Sequence, residues 1–169
     1  PKWVGELYLE MHRGTYTTMA HNKKCNRLCE FLFAKAEAAS ASANALLGCE
    51  YPAEKLDECW LTLLKNQFHD IIPGSSIKEV YEDSAREYAD LLKDGDEIFS
   101  SALSSLAQNI RTEGGYLVYN PTPFTLSGVV RAGDDFISVS EVPAHGYAVI
   151  SDIEKCERTV KADAHTIEN

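Results

Sequence analysis

The chain has 169 residues, room for one ordinary domain or two small ones, and 44% of them are hydrophobic, enough for a packed core. Its formal net charge of −10 disfavours nucleic acid and anionic membranes as partners, because both repel an acidic surface. No apolar run is long enough to span a bilayer, and no basic-then-apolar leader opens the chain. Five cysteines (Cys25, Cys29, Cys49, Cys59 and Cys156) are an odd number without a paired framework. They point to a reducing compartment, and four of them fall in helical pattern, where a free thiol serves as a small apolar residue.

Trp3 to Met11 alternates apolar Val4, Leu7, Leu9 and Met11 with Gly5, Glu6 and Glu10, which predicts an extended segment. His12 to Thr18 follows as a loop dense in hydrogen-bonding side chains, with Thr17 or Thr18 as a cap for the next element. From Met19 to about Leu47, Cys25, Leu28, Cys29, Leu32, Ala36, Ala39, Ala43 and Leu46 keep a helical period, and Gly48 is a natural stop. Tyr51-Pro52 opens a second helix with Glu54 in its first turn and Leu56, Cys59, Trp60, Leu63 and Leu64 on its buried face. Pro73 and Gly74 break the pattern, leaving His69 and Asp70 where one helix stops and the next has not begun. Ser76 with Glu79 has the spacing of a capping box, and a third helix then buries Ile77, Val80, Tyr81, Tyr88 and Leu91 and runs to about Ile110. Asp94-Gly95-Asp96 within it reads as either a turn or a tolerated kink.

At Glu113-Gly114-Gly115 the pattern changes. Tyr116–Tyr119, Gly128–Arg131, Phe136–Val139 and Tyr147–Ile150 are β-type runs split by turn residues, so the expected fold is α+β: an antiparallel three-helix bundle over 1–112, then the first strands of a β-sandwich-like domain over 113–169. Four or five strands are few for a sandwich, the chain opens without Met, and it stops at Glu168-Asn169 without a cap. The expectation is an internal fragment whose sheet continues and whose targeting signal, if any, lies elsewhere.

His69 next to Asp70 is a metal ligand beside a substrate-binding carboxylate, or a helix-end histidine bonded to the dipole or its neighbour. One imidazole is not a metal site, and no second His or Cys lies at ligand spacing from it. His12-Arg13 with Tyr16 suits an anionic or polyhydroxylated ligand, or is simply a structural loop. Cys25 and Cys29, one turn apart, chelate or pack; His21, His145 and His165 carry no chemical context. No phosphate loop, nucleophile elbow or C-x-x-C is present.

Gly5 to Thr18, Asn26-Arg27 with Glu30, and Asn66-Gln67-Phe68-His69-Asp70-Ile71-Ile72-Pro73-Gly74-Ser75-Ser76 resemble the glycoside hydrolase family 38 α-mannosidases, and in particular the middle helical domain of their bacterial and cytosolic branch. Val118-Tyr119-Asn120-Pro121 and Val142-Pro143-Ala144-His145-Gly146-Tyr147 extend the resemblance into that family's C-terminal β region. The resemblance implies a retaining, zinc-dependent enzyme acting on mannose-containing saccharides. His69 would be one zinc ligand and Asp70 a mannose contact, with Arg13 and Tyr16 as substrate-side support. The other ligands, the nucleophile and the acid would belong to an N-terminal catalytic domain absent here, so no catalytic residue is assigned in this chain. A fragment of this kind is expected to be inactive, to bind zinc poorly and to leave the face around His69 and Arg13 open to homo-oligomer contacts. The implied location is cytoplasmic and the implied source bacterial. Competing readings are a non-catalytic helical and β interaction module, and an unrelated metal-dependent sugar isomerase or lyase using His69.

Overall fold

The computed structural model describes residues 2–5, 14–133, 135–151, 161–162 and 167–168. Three helices come first: α1 (Ala20–Leu47), α2 (Ala53–Asn66) and α3 (Lys78–Gln108). Small antiparallel strands follow: β1 (Tyr116–Tyr119), β2 (Leu126–Ala132), β3 (Asp135–Val142), β4 (Tyr147–Ile150), β5 (Lys161–Ala162) and β6 (Ile167–Glu168). The architecture is α+β, and the chain divides into two compact units, Pro1–Ser105 and Leu106–Asn169.

In the first unit, side-chain pairs fix the direction of each helix. Trp60 Nε1 donates to Glu37 Oε1 at 2.8 Å and Gln67 Nε2 to Asn26 Oδ1 at 2.9 Å, so α2 runs antiparallel to α1. Lys55 pairs with Asp94, and Lys65 with Glu87, so α3 runs antiparallel to α2. The core between the helices is Cys25, Cys29, Leu32, Phe33, Cys59, Leu63, Tyr88 and Leu91, with Trp60 packed edge-on to Phe33 at 5.3 Å between ring centroids. All but Phe33 are positions that the helical period picks out, whereas Leu64, expected on the buried face of α2, is 55% exposed because it lies off the side turned to the other helices.

α1 stops at Gly48, which takes a left-handed φ of 70° that a side chain would resist, while Cys49 N reaches back to the Ala43 carbonyl. Its start differs from expectation. The N-cap is Met19, without a side-chain cap, and the Thr17 and Thr18 hydroxyls both donate back to the Gly14 carbonyl, closing a turn of their own. α3 passes straight through Asp94-Gly95-Asp96. A Cβ on Gly95 would lie 2.7 Å from Phe33 Cε1 and 2.8 Å from Leu32 Cδ2, so the glycine is there to let two helices approach, not to turn the chain. Two further expectations fail: Ile77 is exposed because α3 begins one residue after it, and Ser76 forms no capping box because its hydroxyl goes to the Asp70 carbonyl.

In the second unit, β1 pairs with β4 and β2 with β3, both antiparallel, and β5 with β6. The register of β2 and β3 shifts between Leu126 and Gly128, with Glu141 at a positive φ of 53° and its N–H bonded to Ser127 Oγ. This bulge returns Val142 to the same face as Ile137 and Val139, and these three form the unit's core with Val118, Val130, Ala132, Ala148 and Ile150. Asn120, 2% exposed, fastens the ladders: its Nδ2 donates to the carbonyls of Phe124, Val142 and Pro143, and its Oδ1 accepts from Thr122 N and Oγ1.

Candidate functional site

The site grows from the end of α2. Asn66, its last residue, is 1% exposed and sits in a chain of hydrogen bonds crossing all three helices. Asn22 Nδ2 donates to Ser84 Oγ at 2.8 Å, Ser84 Oγ to Asn66 Oδ1 at 2.5 Å, and Asn66 Nδ2 to Glu87 Oε2 at 2.7 Å. Polar side chains this deep are tolerated only when each is satisfied, and here each donor has an acceptor on another helix. Gln67, next along, spans Asn26 Oδ1 and Glu30 Oε1, while Arg27 holds the other oxygen of Glu30 at 2.6 Å. The two sequence stretches Asn26-Arg27 with Glu30 and Asn66-Gln67 are thus one brace, with α1 gripping the point where the chain leaves α2.

From there the backbone makes tight turns, Phe68 N to Lys65 O, Ile71 N and Ile72 N to Phe68 O, and Gly74 N to Ile71 O. These turns lift His69 and Asp70 out of the bundle, with side chains 78% and 61% exposed. His69 Nε2 lies 3.4 Å from Asp70 Oδ2, and the Phe68 ring leans on the imidazole at 4.2 Å between centroids. Exposed imidazole and carboxylate on an over-held backbone can donate to and accept from an incoming polar ligand without a rearrangement of the fold.

Tyr16 is 93% exposed on the turn from Gly14 to Met19. That turn touches the His69 loop: Gly74 packs so closely on Thr18 that a Cβ would come within 2.5 Å of Thr18 Cγ2. The structure therefore brings the segments of Tyr16, His69 and Asp70 to one end of the bundle. Arg13 and His12 lie outside the described residues, as do Cys156 and His165.

Metal binding can be tested on the donors present. Among the described residues no three His, Cys, Asp or Glu side chains come together as an ion would require, and zinc takes about three or four ligands. His69 fits as a single donor of a site completed from elsewhere, not as a centre of its own. Cys25 and Cys29 do not chelate. Both are buried with Cys59 beside Tyr88, and burial pushes the Cys29 thiol up to about 12. Tyr88 is fully buried, its hydroxyl has no hydrogen-bond partner among the described residues, and burial raises its pKa, so it packs and does not titrate.

Residues 10–106 match the family described as the alpha mannosidase middle domain, and the chain belongs to that family. It is 39% identical over 151 residues to alpha-mannosidase 2C1 of Mus musculus, a stretch covering 86% of this chain and 14% of that protein. Against alpha-mannosidase 2C1 of Homo sapiens it is 38% identical, covering 88% of this chain and 15% of the relative. Among solved structures, a protein of glycosyl hydrolase family 38 from Enterococcus faecalis superposes with a TM-score of 0.63 at 25% identity, covering 75% of this chain and 16% of that one. The class is thus an α-mannosidase middle domain, and within it the chain is a glycoside hydrolase family 38 domain that spans about one seventh of its relatives' length. Relatives also come from Dictyostelium discoideum and Saccharomyces cerevisiae, so the expected bacterial source is not supported. Among the described residues no helix is long and apolar enough to cross a membrane.

Proposed function

We propose that this chain is the middle domain of a zinc-dependent, retaining α-mannosidase that hydrolyses terminal α-mannosyl linkages. His69 supplies one zinc ligand, Asp70 a contact to mannose, and Tyr16 with Arg13 substrate-side support. The observation that carries this reading is the isolation of His69 and Asp70: two exposed polar groups on a loop whose backbone is held from three helices. A side chain 78% exposed adds little to packing, and its imidazole is open to a ligand from outside the bundle. The remaining ligands, the nucleophile and the acid come from an N-terminal catalytic domain of the same protein, which accounts for the lack of a three-donor cluster among the described residues.

A zinc ion held in part by His69 would supply Lewis-acid stabilisation of the sugar in an oxocarbenium-like transition state. This chain's part is to present the His69 imidazole at a fixed position and to orient the sugar through the Asp70 carboxylate. Both roles need a loop that does not move when substrate arrives. With the nucleophile and the acid assigned to the catalytic domain, the isolated fragment is expected to be inactive.

The test uses the full-length protein. It should release nitrophenol from an aryl α-mannoside, lose that activity to a chelator and regain it with zinc. No release under any metal condition would overturn the enzyme reading in favour of a non-catalytic interaction module.

A further inference from the structure

Three consecutive carbonyls after His69 each accept from a side chain of a different origin. Ser76 Oγ donates to Asp70 O at 2.5 Å, Tyr81 Oη to Ile71 O at 3.1 Å, and Lys23 Nζ to Ile72 O at 2.8 Å. Ser76 belongs to the loop itself and Tyr81 to α3, so their effects stay on the His69 side. Lys23 differs: the same ammonium donates to Thr18 O at 2.5 Å, on the turn that carries Tyr16. It spans the two loops directly beside the Gly74–Thr18 contact.

Lys23 is an unusual choice for its place. A cation at the start of a helix opposes the helix dipole, and α1 has no acidic residue in its first turn to offset it. The ammonium is drawn out of water far enough for burial to lower its pKa, a cost that a solvent-facing rotamer would avoid. The two carbonyl bonds, one exposed and one part-buried, offset these penalties, and charge-assisted bonds of this kind are the stronger ones.

We propose that Lys23 is a positioning residue that locks the Tyr16 turn and the His69–Asp70 loop into one rigid piece, fixing the spacing of the substrate contacts on either side of it. This builds on the mannosidase reading for its kinetic consequence, while the mechanical clamp stands apart from it.

The experiment compares full-length wild type with Lys23→Met and Lys23→Arg. Hydrogen exchange over residues 14–19 and 67–76 should rise in both segments together, by about tenfold or more, in Lys23→Met, with amides of Leu63 and Tyr88 in the core unchanged. On an aryl α-mannoside, kcat/KM should fall about 10- to 100-fold with the larger share in KM, and Lys23→Arg should restore most of it. Faster exchange in one segment only, or in neither, overturns the clamp. Joint exchange with kcat/KM within about twofold of wild type leaves a structural brace and overturns the positioning role. If wild type is inert, the mannosidase reading falls while exchange still decides the clamp. If Lys23→Met loses core protection, Lys23→Gln, which keeps a neutral donor of shorter reach, takes its place and must give the same joint exchange; separate behaviour of the two segments again overturns it.

Discussion

Asn66 in the helical unit and Asn120 in the strand unit are the same device in two settings. Each is nearly sealed from solvent, and each fastens separate pieces of chain through both ends of its amide. Asn66 ties α2 to Ser84 and Glu87 of α3, and through Ser84 to Asn22 of α1. Asn120 ties the end of β1 to the carbonyls at Phe124, Val142 and Pro143. The two differ in the course of the chain after the asparagine. Beyond Asn66 the chain rises into exposed His69 and Asp70, whereas beyond Asn120 the Thr122 N–H and hydroxyl turn back onto the asparagine itself. The buried amide knot in one unit holds the base of an exposed loop and in the other closes a fold.

Substitution separates these roles. Asn120→Ala strands the buried Val142 carbonyl and weakens the part-buried bonds to Phe124 and Pro143 and from Thr122, so it should cost the strand unit about 3 kcal/mol, seen as lost amide protection in β1 to β4, while the proposed hydrolysis by the full-length protein falls only as far as the protein unfolds. Asn66→Ala removes fewer bonds and should cost about 3 kcal/mol in denaturant unfolding, but activity of the folded protein should also drop, because the base of the His69 loop loosens. If the two variants lose activity only in proportion to unfolding, the contrast between the knots disappears.

Gly95→Ala is a steric control on the same bundle. The gain of about 1 kcal/mol from helix propensity is outweighed by overpacking of about 1–3 kcal/mol against Phe33 and Leu32, since both side chains are already buried. The expected result is a net loss of about 1 kcal/mol with kcat/KM unchanged, measured by unfolding and steady-state kinetics. The smallest effect is chemical. At pH 8 Cys49, half-buried, should alkylate ahead of Cys25, Cys29 and Cys59, because burial raises the pKa of all three and withholds the thiolate. Mass mapping of the alkylated native protein checks this.

Helical period and turn residues are enough to place α1, α2 and their connection, because Gly48 and Pro52 act locally. His69 and Asp70 are legible as exposed residues at a helix end for the same reason. Ser76, Thr17 and Thr18 mislead, since a hydroxyl serves a helix N–H or a nearby carbonyl equally well and only the folded chain decides. The brace from Gln67 to Asn26 and Glu30 is beyond reach of the sequence: residues about forty positions apart carry no local sign of pairing. Lys23 is not singled out by the sequence either, since Lys24 beside it shares the same helix-start setting and only the folded chain brings one of the two to the Thr18 and Ile72 carbonyls. Arg13 lies outside the described residues, and its role rests on resemblance.

On the proposed reading, His69 serves a metal and not the fold. The most direct measurement is elemental analysis of full-length wild type and His69→Ala, alongside their unfolding midpoints. About one zinc is expected in wild type, little in the variant, and matching midpoints in the metal-free forms, because a side chain this exposed contributes little to packing. A variant that keeps its zinc, or one that loses it only by unfolding, would contradict the assignment.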